Sequence, residues 1–208
     1  MQTILIATTN RGKLREVRAI LDHLPVHFTT LANYPNLPEP IEDAVTFEGN
    51  AKLKALHYAR LTGCWTLADD SGLEVDALGG EPGTHSARYA GPECDVAANN
   101  AKVIKKLTGI PPEQRTARFR CAIALASPEE VVATATGAVE GMIVDDARGT
   151  NGFGYDPHFF VPEYGMTTAE MPPEQKNRIS HRGEALRAIH PAIERMLSDS
   201  DAFAPGRG

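Results

Sequence analysis

Two adjacent carboxylates followed by a hydroxyl and a glycine form the densest chemical signal in this chain. The segment 68–73 reads Ala-Asp-Asp-Ser-Gly-Leu and follows an apolar run that ends at Leu67, where we expect a short strand to end. Side chains alternate along a strand, so Asp69 and Asp70 face opposite ways and only one need enter a site. One or two carboxylates beside a phosphate suffice for Mg²⁺, and such a carboxylate can accept a proton from attacking water. Ordinary turn chemistry is the alternative.

Two clusters nearer the N-terminus carry cations that suit the same anion. The first lies between a predicted strand and a predicted helix, where free backbone N–H groups and the helix dipole favour an anion; it consists of Thr8, Thr9, Asn10, Arg11, Gly12 and Lys13. It is not a Walker A loop, because Leu14 follows Lys13 and the required earlier glycine is missing. In the second, Glu42 precedes a helix on which Asn50 and Lys54 share one face. The alternative for the first cluster is a capped helix, and the alternative for the second is a surface helix with a Glu48–Lys52 salt bridge.

Two clusters in the second half of the chain suit a flat, carbonyl-rich ligand. Three glycines surround Phe153 in the loop 149–157, so the backbone can approach a ligand while the ring offers a stacking face. Lys176, His181 and Arg182 supply hydrogen-bond donors for a base or a phosphate. A tight hairpin and a solvated basic segment are the alternatives.

Composition narrows the class of protein. The chain has 208 residues, 42% hydrophobic and 23% charged, and a net charge of −6, which argues against broad nucleic-acid binding. Cys64, Cys94 and Cys121 form no CxxC pair and are expected to be reduced thiols of a cytoplasmic protein. No signal peptide and no apolar run of membrane length is found, so no membrane partner is expected. HExxH and GxSxG motifs are lacking, so zinc and serine-hydrolase chemistry are unsupported.

The elements that position these clusters alternate between strand and helix at first and become long strands later. Predicted strands cover residues 3–7, 26–31, a short run ending at 67–68, and 116–126, with one or two more within 130–144. Predicted helices cover residues 11–23, 46–61, 95–107 and 183–197. The pattern predicts an α/β domain with a mixed, strongly twisted sheet. We expect a single domain over residues 1–198 and a flexible tail over 199–208.

Taken in order, these clusters resemble the inosine triphosphate pyrophosphatase family, the noncanonical purine nucleoside triphosphate pyrophosphatases. The resemblance extends from about residue 3 to about residue 190. The matching segments are Thr8–Lys13, Thr46-Phe47 with Asn50-Ala51 and Lys54-Ala55, Ala68–Leu73, Ser86–Tyr89, Gly152–Pro157 and Ser180–Gly183.

The resemblance implies hydrolysis of dITP, ITP or XTP to the monophosphate and pyrophosphate, with Mg²⁺. It makes Asp70 the general base and a metal-side carboxylate, with Asp69 and Glu42 near the ion. It assigns the triphosphate to residues 8–13, Lys54 and Ser71. It assigns the base and its surroundings to Phe153, Gly154, Tyr155, Asp156, Lys176, His181 and Arg182.

The resemblance also implies an elongated mixed α/β fold with two lobes and a central cleft, and a homodimer. A donor such as Arg182 would favour the oxygen at purine position 6 over the amino group of adenine, by roughly 1–3 kcal/mol. The main alternative is a nucleotide-binding regulatory module without turnover. A pyrophosphatase for pyrimidine nucleotides is a second, and a nucleic-acid-binding protein using Arg118 and Arg120 is a third.

Overall fold

The computed structural model describes residues 2–202, with side chains up to residue 198. Its helices are α1 (Arg11–Leu21), α2 (Phe47–Thr62), α3 (Val96–Lys106), α4 (Pro173–Ile179) and α5 (His181–Ala202). Its strands are β1 (Thr3–Ile6), β2 (His27–Thr30), β3 (Trp65–Val75), β4 (Thr116–Ala126), β5 (Val131–Ile143), β6 (Phe159–Val161) and β7 (Met166–Thr167). No helix in this described part is long and apolar enough to cross a membrane.

The strands form one mixed sheet in the order β2-β1-β3-β4-β5-β6-β7. Strand β1 pairs in parallel with β2 and with β3, and the second pairing sets Ile4 opposite Trp65 and Ile6 opposite Leu67. The pairs β5–β6 and β6–β7 are antiparallel. The predicted fold class, α/β with a mixed sheet and flanking helices, is therefore confirmed.

The chain forms two compact units, each with its own apolar core. The first unit contains the chain up to Asp70, Ala122–Thr136, and α5 from Ala185 onward; the second contains Ser71–Cys121 and Gly137–Glu184. In the first unit, α2 buries Phe47, Ala51, Ala55 and Tyr58 against small residues of β3 and β4. In the second, the core includes Leu73, Val75, Phe119, Phe159 and Met171.

Several boundaries follow directly from local chemistry. Asn10 caps α1, Thr46 caps α2 and Asp95 caps α3, each with a side-chain oxygen that accepts a backbone N–H of the first turn. Helix α2 ends at Gly63, whose φ of 70° is the left-handed conformation that glycine adopts readily. These boundaries lie within two residues of the predicted ones, and β4 matches its prediction at both ends.

The prediction that the strand ends at Leu67–Ala68 is wrong. Strand β3 continues for seven residues past Ala68 and carries Asp69 and Asp70 in its middle. The apolar alternation resumes beyond the polar residues, and both Leu73 and Val75 are fully buried. Packing of those two side chains therefore outweighs the turn preference of Asp-Ser-Gly.

The segment around Lys176 also differs from its prediction. Lys176 lies on the short helix α4, which starts with a proline at its first position, and α5 begins at His181, two residues earlier than predicted. The short strands β6 and β7 were not predicted. At the other end, α5 continues to Ala202, and the rest of the predicted tail over 199–208 lies outside the described residues.

Candidate active site

The loop before α1 is closed by its own side chains. Asn10 Oδ1 accepts the backbone N–H groups of Gly12 at 2.8 Å and Lys13 at 3.1 Å, and Thr8 Oγ1 accepts that of Asn10 at 3.1 Å. Thr9, Asn10 and Arg11 are exposed, while Gly12 is buried. The cap therefore takes up two of the first free N–H groups of the helix and fixes the start of its first turn.

Two lysines meet the acidic segment of β3 within the first unit. Lys13 Nζ lies 3.3 Å from Asp69 Oδ2, and the Asp69 side chain is almost fully buried. Lys54 Nζ donates to the backbone carbonyl of Asp69 at 3.2 Å and lies 3.1 Å from Glu42 Oε2. Three elements that are distant in sequence thus bring two ammonium groups to adjacent carboxylates.

Asp70 faces a different partner from its neighbour, as strand alternation predicts. Asn50 Nδ2 donates to Asp70 Oδ2 at 3.1 Å, and Asn50 Oδ1 in turn accepts the backbone N–H of Ala44 at 3.0 Å. Both Asn50 and Asp70 are buried. Asn50 is thereby fixed on both sides and holds the carboxyl group in one orientation.

The pKa of Asp70 is raised above its ordinary value of 3.8, mainly because burial disfavours the charged carboxylate. Lys13, Lys54 and the Asn50 hydrogen bond act in the opposite direction, while the Glu42 carboxylate adds to the rise. A carboxyl group whose pKa is raised in this way is a better proton acceptor once it is ionised.

Lys54 responds to the same environment in the opposite way. Burial alone would lower the pKa of its ammonium group, but the carboxylates of Glu42, Asp69 and Asp70 outweigh that effect, and the pKa is raised. Lys54 is therefore a permanent cation at neutral pH, suited to an anionic ligand.

The donor set at this position consists of hard oxygen ligands. Within the described residues, no three His, Cys, Asp or Glu side chains form a group that could hold a metal ion by themselves. Glu42 and Asp69 contact lysines instead. Mg²⁺ commonly takes only one or two protein carboxylates and completes its shell with water and substrate phosphates. The residues present fit that kind of site.

In the second unit, Asp156 organises the predicted base-binding loop. It is buried, and its Oδ2 accepts the ammonium group of Lys176 at 2.5 Å and the backbone N–H of Phe153 at 2.7 Å. Its Oδ1 accepts the hydroxyl of Thr168 at 2.8 Å. A Cβ on Gly152, whose φ is 75°, would lie 2.0 Å from Asp156 Oδ2, so only glycine fits there.

The Phe153 ring is half-buried and lies beside two cations. Lys176 Nζ is 4.9 Å and Arg182 Cζ is 5.6 Å from the ring centroid. The buried Arg182 guanidinium also donates to Ser71 Oγ at 2.7 Å. The arrangement places an aromatic ring beside two cationic side chains, one of which is paired with Asp156.

His181 and Tyr155 are held by protein groups. The buried His181 ring stacks on Phe119, with centroids 5.0 Å apart. The Tyr155 hydroxyl donates to the backbone carbonyl of Ser86 at 2.7 Å, and burial raises its pKa. Tyr155 thus connects the loop at 149–157 with the Ser86–Tyr89 segment that had no predicted role.

Most of the chain matches a family model. The Ham1 family model matches residues 4–192. The chain belongs to the Ham1 family. It is 54% identical over 186 residues to a dITP/XTP pyrophosphatase of Geobacter sulfurreducens, covering 89% of this chain and 94% of the relative. It is 50% identical over 197 residues to a dITP/XTP pyrophosphatase of Listeria monocytogenes, covering 95% and 97%. A Ham1 protein structure from Coxiella burnetii superposes with a TM-score of 0.84 at 39% identity, covering 94% of this chain and all of the other.

In this Ham1 chain the predicted site residues divide into two sets, one within each unit. The first set is Thr8, Thr9, Asn10, Arg11, Gly12, Lys13, Glu42, Lys54, Asp69 and Asp70; the second is Ser71, Phe153, Gly154, Tyr155, Asp156, Lys176, His181 and Arg182. Asn50, Ser86 and Thr168 support these sets through hydrogen bonds that the sequence analysis did not assign. For Asn50 the sequence did carry a signal, since it lies one turn before Lys54 on the same helical face.

Proposed function

We propose that this chain hydrolyses noncanonical purine nucleoside triphosphates, dITP, ITP and XTP, to the nucleoside monophosphate and pyrophosphate. The observation that carries the proposal is the buried Asp70 carboxyl group, oriented by Asn50 beside two lysines, in a Ham1 chain whose relatives at about half identity are named dITP/XTP pyrophosphatases. A pure binding module has little need for buried carboxylates beside phosphate, so the regulatory alternative is not favoured.

The first set of residues suits the triphosphate. Lys13 and Lys54 supply two cations, and the capped start of α1 supplies a positive helix end. Ser71 follows Asp70 directly in β3 and adds a hydroxyl held by Arg182. These groups neutralise the charge that grows on the leaving pyrophosphate as the bond to the α-phosphorus breaks.

Asp70 is proposed as the group that accepts the proton of the attacking water. The water oxygen forms the new bond to the α-phosphorus, the bridging bond to pyrophosphate breaks, and the proton passes to the Asp70 carboxylate. Asp70, with Glu42 and Asp69 beside it, would hold Mg²⁺ together with the phosphates. When bound, the ion withdraws electron density from the phosphoryl oxygens.

The second set suits the base. Phe153 offers a stacking face, and Lys176 and Arg182 supply donors for carbonyl oxygens of hypoxanthine or xanthine. Adenine would present an amino group to these donors and leave them unmatched, a penalty of roughly 1–3 kcal/mol. The proposal includes the cytoplasm as location, which the free Cys64, Cys94 and Cys121 suit, and a homodimer, which sedimentation analysis would test.

The deciding experiment is pyrophosphate release from dITP, XTP, dATP and dGTP with Mg²⁺, for the unmodified chain and for Asp70→Asn. We expect fast turnover of dITP and XTP, and a loss of roughly 10²–10⁴-fold in Asp70→Asn because the proton acceptor is removed. The matched control is Asp76→Asn, an exposed aspartate paired with Arg118, which should leave turnover unchanged. Tight nucleotide binding without pyrophosphate release would instead favour the regulatory module.

A further inference from the structure

Helix α3 carries two consecutive asparagines near its middle, Asn99 and Asn100, and each side chain bonds a loop outside the helix. Asn99 Oδ1 accepts the backbone N–H of Ala90 at 2.6 Å, and its Nδ2 donates to the carbonyl of Ala87 at 2.9 Å. Asparagine is a weak helix former because its side chain competes for backbone hydrogen bonds. Two asparagines in succession therefore indicate that contacts outside the helix determine these positions.

Asn100 reaches the glycine-rich loop that carries Phe153. Its Nδ2 donates to the Gly154 carbonyl at 3.0 Å, across 54 residues of sequence, and to the Val96 carbonyl at 2.9 Å. Both partners are acceptors, so only the amide nitrogen can face them. The Asn100 Oδ1 is left buried without a hydrogen-bond partner within the described residues. A buried acceptor without a partner is unfavourable, so the asparagine at this position is explained by the donor Nδ2 and not by the acceptor Oδ1.

The backbone hydrogen bonds around Gly154 position the Phe153 ring. Phe153 donates its own N–H to Asp156 on one side, and Asn100 holds the carbonyl of the next residue on the other. Gly154 has a φ of 63°. Glycine has access to many other backbone conformations, so a hydrogen bond from outside the loop is what selects this one. The Tyr155 hydroxyl, bonded to Ser86, extends the same restraint one residue further.

We propose that Asn100 is a positioning residue for base recognition: it fixes the Gly154 peptide and thereby the Phe153 ring against which the purine stacks. The inference rests on the proposed function, because it assumes that the second set of residues receives the base. Asn100 acts through Gly154 and makes no contact with the reacting atoms. It lies outside every motif that suggested the function from sequence.

The test separates the base from the phosphates by measuring two product fragments. Binding of dIMP and of pyrophosphate, each with Mg²⁺, is measured by calorimetry for the unmodified chain, Asn100→Ala and Ala101→Gly. We expect Asn100→Ala to weaken dIMP binding by about tenfold and to change pyrophosphate binding by less than about twofold. Its KM for dITP should rise with little change in kcat. Ala101 is exposed on the same helix, so Ala101→Gly weakens α3 without touching a loop and should change neither affinity.

A second variant guards against misfolding of Asn100→Ala. The serine of Asn100→Ser can bond the Val96 carbonyl within the helix but is too short to reach Gly154, so it should reproduce the dIMP loss. Equal losses for dIMP and pyrophosphate, or a dIMP loss in Ala101→Gly, would overturn the positioning role. So would an unchanged dIMP affinity in both Asn100 variants of an active enzyme. An unmodified chain that releases no pyrophosphate from dITP refutes the proposed function itself.

Discussion

A carboxyl group as enclosed as that of Asp70 is harder to ionise than one in water, and the cations around it offset only part of that penalty. Burial raises its pKa, while Lys13, Lys54 and Asn50 lower it without reversing the effect. At neutral pH the ionised Asp70 therefore makes the folded state less stable than a neutral group there would. A loss of stability of this kind is common where a residue serves in catalysis or binding.

Asp70→Asn should therefore stabilise the ligand-free protein at neutral pH. Because the folded pKa is raised, the ionised carboxylate begins to destabilise the fold as pH rises above 3.8. The advantage of the variant therefore grows until pH passes the raised pKa, stays constant above it, and vanishes below 3.8. We expect a melting temperature higher by about 2–4 °C at pH 7. The measurement is thermal unfolding of both proteins from pH 4 to pH 8.

Asp76→Asn provides a control of opposite sign. Hydrogen bonds from Arg118 and Thr116 lower the pKa of the exposed Asp76, so its ionised form stabilises the fold above the ordinary carboxyl pKa. Its loss should lower the melting temperature slightly at pH 7, because exposed ion pairs contribute little. A decrease in Asp70→Asn as well would mean that the lysines, not burial, dominate around Asp70.

At the scale of elements, the loop at 149–157 depends on one close approach. Gly152 combines a φ of 75° with a position where a Cβ would overlap Asp156 Oδ2. The same oxygen accepts Lys176 and the Phe153 N–H. Any side chain at 152 therefore displaces Oδ2 of Asp156 from both of these donors.

Gly152→Ala should raise the KM for dITP by about tenfold or more, because Phe153 and Lys176 lose their common acceptor. Gly165→Ala is the matched control: its φ of 65° imposes similar backbone strain, but a Cβ there meets nothing within 4 Å. Both variants should lose roughly 1–2 kcal/mol of stability from the left-handed backbone. Steady-state kinetics and denaturant unfolding measure the two effects. Equal KM values in the two variants would contradict the role of the clash.

Local signals were sufficient for most elements and insufficient for those that depend on distant contacts. The starts of α1, α2 and α3 were predicted to within one residue, because the polar residues that cap them act within one turn. The continuation of β3 past Asp70 was not, because a polar segment in a buried strand depends on Leu73 and Val75 packing against other elements. Short elements such as β6 contain too few residues to show a period.

The candidate site followed the same division. Residue types and order led to the prediction that Lys54 and the acidic segment serve one ligand, and the structure places Lys54 Nζ 3.2 Å from the backbone carbonyl of Asp69. The partners of those side chains could not be read from sequence. Asp156 was expected to contact substrate, and the sequence did not show that its oxygens also accept hydrogen bonds from Lys176, Phe153 and Thr168. A hydrogen bond between residues 12 or 20 positions apart leaves no periodic trace.

At the scale of the whole molecule, the charge distribution opposes nucleic-acid binding. The net charge is −6. Arg118 is paired with Asp76 and Glu140. Arg120 lies 3.7 Å from Glu74. The two arginines that motivated the nucleic-acid alternative are thus already neutralised by nearby carboxylates.

We expect no measurable binding to duplex DNA or single-stranded RNA at about 0.1–0.2 M salt. A protein that neutralises several phosphates shows affinity that falls steeply as salt rises, and an acidic surface lacks the cations for this. Fluorescence anisotropy over a salt series checks the expectation. Micromolar binding with a steep salt dependence would contradict it and reopen the third alternative.

The parallel pairing of β1 with β3 makes the number of residues before Asp70 as important as their identity. Ile4, Leu5 and Ile6 lie opposite Trp65, Thr66 and Leu67, so the ladder fixes the strand three residues ahead of Asp70. Deleting or inserting one residue between them would turn every following side chain to the other face. An insertion would bring Asp69 to the position that meets Asn50, whereas a deletion would bring Asp70 to the position that meets Lys13. A substitution in this stretch leaves the register unchanged, but a change in its length would move both aspartates away from their present partners at once.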